Sequence, residues 1–167
     1  MKMSKQTEPK ALTTREKILF DGEDDWVKLK QVHDYVALEN PSASLAEVQR
    51  KTIALVRSMA EEGVIAFGDL DDHGAGFIDW DVPLDDAISR LTADYVDNFN
   101  DRYNWPLFLW FRVTDKGKDI GRSYSGEYEA WLADLRVHGR EYETPPLHLV
   151  PGDHNQSGGS DAAANNS

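Results

Sequence analysis

The apolar residues of the chain follow two spacings, one typical of helices and one typical of strands. From Leu45 to Met59 they recur every three or four residues, after Ser44, which can cap a helix, and before Gly63, which can end one. Two short apolar runs follow at residues 64–67 and 76–80, with a turn-like composition between them. This pattern predicts a helix of about 18 residues followed by a β-hairpin.

Weaker patterns predict further elements on both sides of this unit. Before it we expect a short helix from Thr13, a short strand near Trp26 and a helix over residues 30–39. After it we expect a helix that begins at Pro83, a strand over residues 107–114, a turn at residues 115–117 and a helix capped by Ser125. The expected fold is therefore α+β, with about five helices and a small antiparallel sheet.

Composition sets the expected boundaries of the domain. Residues 1–12 are polar and slightly basic, and the chain becomes rich in Pro, Gly, Ser and Asn after residue 140. Such segments bury too little apolar surface to fold by themselves. We therefore expect a flexible leader over residues 1–12, a domain over residues 13–138 and a disordered polar tail over residues 139–167.

The charge balance of the chain is acidic and uneven. The 167 residues contain 30 Asp and Glu against 18 Lys and Arg, which gives a formal net charge of −12. Between Asp69 and Arg102 there are ten aspartates against two arginines, a local net charge of −8. A field of this sign repels the phosphate backbone of nucleic acids and attracts basic protein surfaces. The chain has no cysteine, no apolar run long enough for a membrane helix and no signal-peptide pattern, so we expect a cytoplasmic protein.

Several segments resemble winged helix-turn-helix proteins. Residues 59–65 (MAEEGVI) resemble the step from a recognition helix into the wing, and residues 113–117 (VTDKG) resemble a turn common in winged-helix regulators. Residues 26–27, 52–68, 76–80 and 110–111 also look like a group of small, uncharacterised bacterial winged-helix-like proteins. The resemblance covers roughly residues 14 to 120 and implies a winged-helix-like fold without catalytic residues to carry over.

The expected wing departs from that of a DNA-binding winged helix. Its tip carries Asp69, Asp71 and Asp72 where a DNA reader has basic side chains, and three carboxylates beside phosphate would be repulsive. We therefore expect a non-enzymatic module that binds a protein with a basic surface, as an immunity or antitoxin-like protein, an inhibitor or a regulatory adaptor would. The expected contact residues are the acidic side chains of the wing and the following helix, with two loop aromatics: Asp69, Asp71, Asp72, Asp81, Asp85, Asp86, Tyr103 and Trp105.

The alternative is a DNA-binding transcriptional regulator of the winged-helix type. Its contacts would come from the long helix, from the last strand and from the region after that strand: Gln49, Arg50, Lys51, Arg57, Arg112, Lys116 and Lys118. The positions of these residues distinguish the two hypotheses. One continuous basic face favours DNA, whereas side chains that are scattered or paired with aspartate favour a protein partner.

The sequence contains no motif that assigns a reaction or a cofactor. The five histidines have no metal-ligand spacing, and the segment from Asp69 to His73 does not match a calcium-binding loop. A nucleophile motif and a phosphate-binding glycine loop are also missing from the sequence. We therefore expect neither an enzyme nor a bound cofactor or metal.

Overall fold

The computed structural model describes residues 11–152, which form seven α-helices and a four-stranded antiparallel sheet. In chain order the elements are α1 (Thr14–Asp21), β1 (Val27–Lys28), α2 (Leu29–Glu39), α3 (Leu45–Glu61), β2 (Ile65–Leu70), β3 (Phe77–Asp79), α4 (Leu84–Thr92), α5 (Trp105–Phe108), β4 (Trp110–Val113), α6 (Asp115–Arg122) and α7 (Ser125–Val137). A π-helical segment over Ala93–Asp97 continues α4, and a 3-10 turn lies at Leu147–Leu149. The α+β class is confirmed, but the expected number of about five helices is wrong.

The predicted long helix forms α3, for the reasons seen in the sequence. The Ser44 hydroxyl accepts a hydrogen bond from the backbone N–H of Glu47 at 3.1 Å, which caps the first turn. At the other end Gly63 has a φ of 78°, a conformation that favours glycine. Val48, Val56 and Met59 are completely buried on one side of the helix. Burial of this apolar face supplies most of the stability of a helix of this length.

The strands form the order β1-β4-β2-β3, so the last strand along the chain lies inside the sheet. Phe111 of β4 lies opposite Val27 of β1 and Phe67 of β2, and all three side chains are buried on the inner face. Since side chains alternate along a strand, Lys28, Trp110 and Gly68 share the outer face, where the first two are only partly covered.

The segment before β4 differs from the prediction. We expected the strand to begin at residue 107, but residues 105–108 form the short helix α5, and the strand begins at Trp110. Pro106 lies in the first turn of α5, where its missing N–H costs no hydrogen bond. As a result, Leu107 and Phe108 are exposed to solvent instead of being paired in the sheet.

The turn predicted at residues 115–117 is the first turn of α6. The Thr114 hydroxyl accepts a hydrogen bond from the N–H of Gly117 at 3.2 Å and caps the helix. A Cβ at Gly117 would lie 2.4 Å from the carbonyl oxygen of Val64, and one at Gly121 would lie 2.6 Å from that of Leu19. The two glycines therefore serve close packing of α6 against neighbouring backbone.

Helix α7 is attached through Asp21, a half-buried carboxylate at the end of α1. The hydroxyls of Tyr35 in α2 and Tyr128 in α7 both donate to Asp21, and the Tyr35 bond is 2.6 Å long. The Lys17 ammonium lies 3.3 Å from Glu39 and 4.6 Å from the centre of the Trp131 ring. Burial raises the pKa of Asp21, and the two phenol donors oppose this shift. These contacts satisfy the buried polar groups between α1, α2 and α7.

Packing of the chain extends beyond the predicted domain end at residue 138. Leu149 is completely buried, and its carbonyl oxygen lies 2.6 Å from Nε2 of the buried His33. The other ring nitrogen of His33 lies 2.5 Å from the hydroxyl of Tyr95. The prediction of a disordered tail from residue 139 is therefore wrong for the residues that lead to this anchor. Residues 153–167 of the predicted tail and residues 1–10 of the predicted leader lie outside the described residues.

We expect Leu149→Ala to lower the free energy of unfolding by about 2–5 kcal/mol, because it removes a fully buried side chain. Leu147→Ala is the matched control, since Leu147 is 69% exposed and its truncation should change stability by less than about 0.5 kcal/mol. Urea unfolding of both variants measures the difference. Equal effects would contradict the assignment of Leu149 to the core.

Stability should also fall with acidification because of His33. Burial lowers the pKa of this imidazole below 6.5, so the unfolded chain takes up a proton near pH 6.5 while the folded chain does not. Below that pH the free energy of unfolding should decrease, by at most about 1.4 kcal/mol per pH unit from this group. Above pH 6.5 this group no longer lowers the free energy of unfolding, because His33 is then neutral in both the folded and the unfolded chain.

Urea unfolding between about pH 5.5 and pH 7.5 measures this slope in the wild type, in His33→Gln and in the control His138→Gln. His33→Gln should be less stable at neutral pH and show a smaller loss on acidification. His138 is exposed, so its variant is the control for the loss of a histidine outside the core. An unchanged slope in His33→Gln would contradict the assignment.

Candidate interaction surface

The predicted wing tip is a tight turn between β2 and β3 that Asp71 organises. The Asp71 carboxylate accepts hydrogen bonds from the backbone N–H groups of His73 at 3.0 Å and Ala75 at 2.9 Å. Gly74 has a φ of 68°, which the turn requires. The hydrogen bond from Ala75 is the main cause that lowers the pKa of Asp71, so its negative charge persists at acidic pH.

The other two carboxylates of the predicted wing have different surroundings. Asp69 accepts a hydrogen bond from the indole N–H of Trp80 at 2.9 Å and pairs with Arg90 at 3.4 Å. Asp72 is exposed. Among residues 11–152, no three carboxylate or imidazole side chains lie together as a metal site requires.

The acidic residues around the start of α4 also differ from one another. Asp81 and Asp86 are exposed, and neither is in an ion pair within the described part of the chain. Asp85 pairs with Arg57 of α3. This pair joins α3 to α4 and neutralises one charge from each of the two alternative contact sets.

The two loop aromatics that we predicted as partner contacts lie in opposite environments. Tyr103 is exposed, and the Arg102 guanidinium lies 5.6 Å from the centre of its ring. Trp105 has no exposed surface, and its indole N–H donates to the carbonyl of Phe99 at 2.7 Å. The prediction of Trp105 as a surface contact is therefore wrong, because the indole packs into the core with Tyr95 and Phe99.

Gln49, the first residue of the alternative DNA-contact set, is also buried. Its side-chain amide donates to the backbone carbonyl of Tyr95 at 3.3 Å, between α3 and the π-helical segment. Gln49 is therefore unable to read a base edge in this conformation. The prediction failed because a glutamine is usually exposed and the segment that covers it is distant in sequence.

The basic residues of that set lie on α3, β4 and α6, and several have partners. Arg112 forms a bidentate pair with Asp79, with both N–O distances at 2.8 Å, and this pairing raises the pKa of Arg112 and lowers that of Asp79. The Lys116 ammonium donates to the carbonyl of Glu62 at 2.8 Å. Arg50 and Lys51 are exposed on α3, and Lys118 is half-buried.

An apolar groove that the residue pattern did not predict lies beside the acidic turn. Leu70, Leu107, Phe108 and Trp110 line this groove, which has a volume of about 440 Å³ and includes Asp69 and Asp71 at its edge. Leu107 is 42% exposed and Phe108 is 59% exposed. Pro106 was the available signal, since proline in a first turn favours a helix start over a continuous strand.

No family model matches this chain, and no curated protein or solved structure does. A proposal for its function therefore rests on the geometry of the surface.

Within residues 11–152, none of the helices combines the length and the apolar character needed to cross a bilayer.

We expect the Asp71 carboxyl to titrate below pH 3.8, because backbone N–H groups stabilise its charged form. Carboxyl carbon chemical shifts measured against pH test this direction. In Asp71→Ala the amide of Ala75 should exchange with solvent faster, whereas Asp72→Ala should leave that exchange unchanged. Titration of Asp71 at or above 3.8 would contradict the geometry of the turn.

Proposed function

We propose that this protein is a non-enzymatic interaction module whose acidic surface binds a basic surface on another protein. It would act as an immunity or antitoxin-like protein, an inhibitor or a regulatory adaptor. The observation that carries the proposal is that Asp72, Asp81 and Asp86 are exposed without an ion-pair partner within residues 11–152. Such carboxylates keep their charge available for a partner.

The scaffold is proposed to be winged-helix-like, with an insertion. The order α1, β1, α2, α3, β2 is the order that the winged-helix resemblance implies, and β4 pairs with both β1 and β2 as a final strand would. Residues 71–109, which include β3, α4 and α5, would then form an excursion between β2 and this final strand. The aspartates of this excursion give the module its acidic surface.

Electrostatics makes such a surface suited to rapid recognition. Complementary charge increases the rate of encounter and disfavours partners of the wrong sign, and both effects weaken as salt is added. Asp71 adds a charge that persists at acidic pH, because backbone N–H groups hold its carboxylate. The complex should therefore be sensitive to salt and tolerant of mildly acidic pH.

The alternative function is a DNA-binding regulator, and the exposed Arg50 and Lys51 on α3 are the observation in its favour. Against it, Arg57 and Arg112 are each paired with an aspartate of the same chain. A phosphate contact would have to displace these carboxylates in addition to the counterions of DNA. The pairing therefore favours a protein partner.

We expect a protein partner to be captured from a lysate of the native cells at about 50 mM salt and lost at about 300 mM. Capture should survive nuclease treatment. The double variant Asp72→Asn/Asp86→Asn should reduce capture, because it removes two unpaired charges from the proposed surface. The recovered proteins are identified and quantified by mass spectrometry.

Glu127→Gln/Glu129→Gln on α7 is the matched control, since it removes the same charge from exposed positions elsewhere. It should capture the partner as the wild type does. If both variants lose capture equally, net charge and not this surface determines binding. If DNA is recovered and the proteins disappear with nuclease, the regulator replaces the proposal.

A further inference from the structure

The outer face of the sheet carries aromatic side chains that the fold leaves partly uncovered. The ring of Phe77 lies over Gly68, where a Cβ would be 2.5 Å from the ring, and contacts Trp26 with ring centres 6.0 Å apart. Trp110 is half-buried on the same face, and the Lys28 ammonium lies 5.1 Å from its ring centre. Gly68 thus permits an aromatic layer on the side of the sheet opposite the core.

This layer continues into the groove lined by Leu70, Leu107, Phe108 and Trp110, which we call the α5 groove. Trp110 belongs to both the sheet face and the groove. Helix α5 buries Trp105 and Pro106 and turns Leu107 and Phe108 towards solvent. Two adjacent exposed apolar side chains beside a concave apolar surface are typical of a binding site.

The charges at the edge of the α5 groove select the chemistry of its occupant. Asp69 and Asp71 both line it, but Asp69 is paired with Arg90, so the carboxylates without an ion pair within residues 11–152 are Asp71 and, at the exposed tip of the turn, Asp72. The Asp71 oxygen that accepts from His73 and Ala75 is oriented by the backbone, so its position is constrained. An apolar surface with an acidic edge favours apolar side chains that are flanked by cations.

We propose that the α5 groove binds a segment of the partner protein in which apolar side chains alternate with lysine or arginine. This inference rests on the proposed function and names its docking site. Leu107 and Phe108 contact the apolar side chains of that segment, and Asp71 and Asp72 face its cations. Single-stranded nucleic acid, which also stacks on aromatic faces, is disfavoured because its phosphates would meet the same carboxylates.

The test uses the purified protein and defined probes, observed by amide and indole NMR shifts. The probes are a decapeptide that alternates lysine with leucine, one that alternates lysine with serine, one that alternates glutamate with leucine, and an oligothymidylate. The lysine–leucine peptide should shift the signals of Leu107, Phe108 and the Trp110 indole. The lysine–serine peptide should bind roughly tenfold more weakly, because it has no apolar side chains.

Two variants connect binding to the groove. Leu107→Ser/Phe108→Ser should weaken binding of the lysine–leucine peptide roughly tenfold, because both side chains line the groove, and should leave the fold intact, because neither belongs to the buried core. Val137→Ser/Tyr142→Ser removes apolar side chains that are 80% and 87% exposed elsewhere, and should leave binding unchanged. Circular dichroism and urea unfolding verify that both variants fold.

Equal affinity for the lysine–leucine and glutamate–leucine peptides would overturn the charge assignment. The groove would be ruled out as the binding site if Leu107→Ser/Phe108→Ser left binding unchanged, or if the lysine–leucine peptide did not bind at all. Oligothymidylate shifting the same signals more strongly would replace the protein segment with nucleic acid. These outcomes concern the groove alone, since lysate capture by the wild-type protein at the two salt concentrations, with and without nuclease, judges the proposed function separately.

Discussion

The insertion of β4 between β1 and β2 is the constraint on which the rest of the fold depends. Phe111 can be buried only if it lies beside both Val27 and Phe67, which come from distant parts of the chain. Once β2 has ended, the chain first adds β3 at one edge of β2 and then returns to pair β4 with the other edge. Residues 71–109 form that excursion, which contains the acidic turn, β3, α4 and α5.

The excursion is held by polar contacts back to the scaffold and by an aromatic cluster. Arg57 pairs with Asp85, and the bidentate pair of Arg112 with Asp79 connects β4 to β3 across the outer face. These exposed pairs contribute little stability each, because both partners are well solvated without the pair. They also neutralise the charges of Arg57 and Arg112.

Trp105 and His33 are both buried, and their contact fixes where the chain returns to the core before β4. The indole of Trp105 packs with His33, Tyr95 and Phe99, so the loop before α5 is anchored at its end. The same histidine lies at hydrogen-bond distance from the Leu149 carbonyl oxygen, and this contact attaches the segment after α7 to the core. A buried imidazole of this kind is stable only when both ring nitrogens have partners, and Tyr95 and Leu149 supply them.

The sequence by itself determined the elements whose signals are local. Ser44 and Gly63 mark the ends of α3, and the apolar spacing between them predicts its buried face, because capping and amphipathicity involve neighbouring residues. The acidic composition of the β2–β3 turn and α4 was also evident without coordinates. Leu107 and Phe108 resembled the start of a strand, and Gly117 a turn, because an apolar residue or a glycine has the same local signature in several structures.

Only the tertiary structure decided which side chains remain available at the surface. Gln49, Trp105 and Leu149 are buried by segments far away in the chain, and Arg57 and Arg112 lose their free charge to aspartates that follow or precede them by many residues. Burial and ion pairing depend on distances in space, which residue spacing along one strand or helix does not contain. The α5 groove exists for the same reason, since its walls come from β2, α5 and β4 and meet only when the sheet is formed.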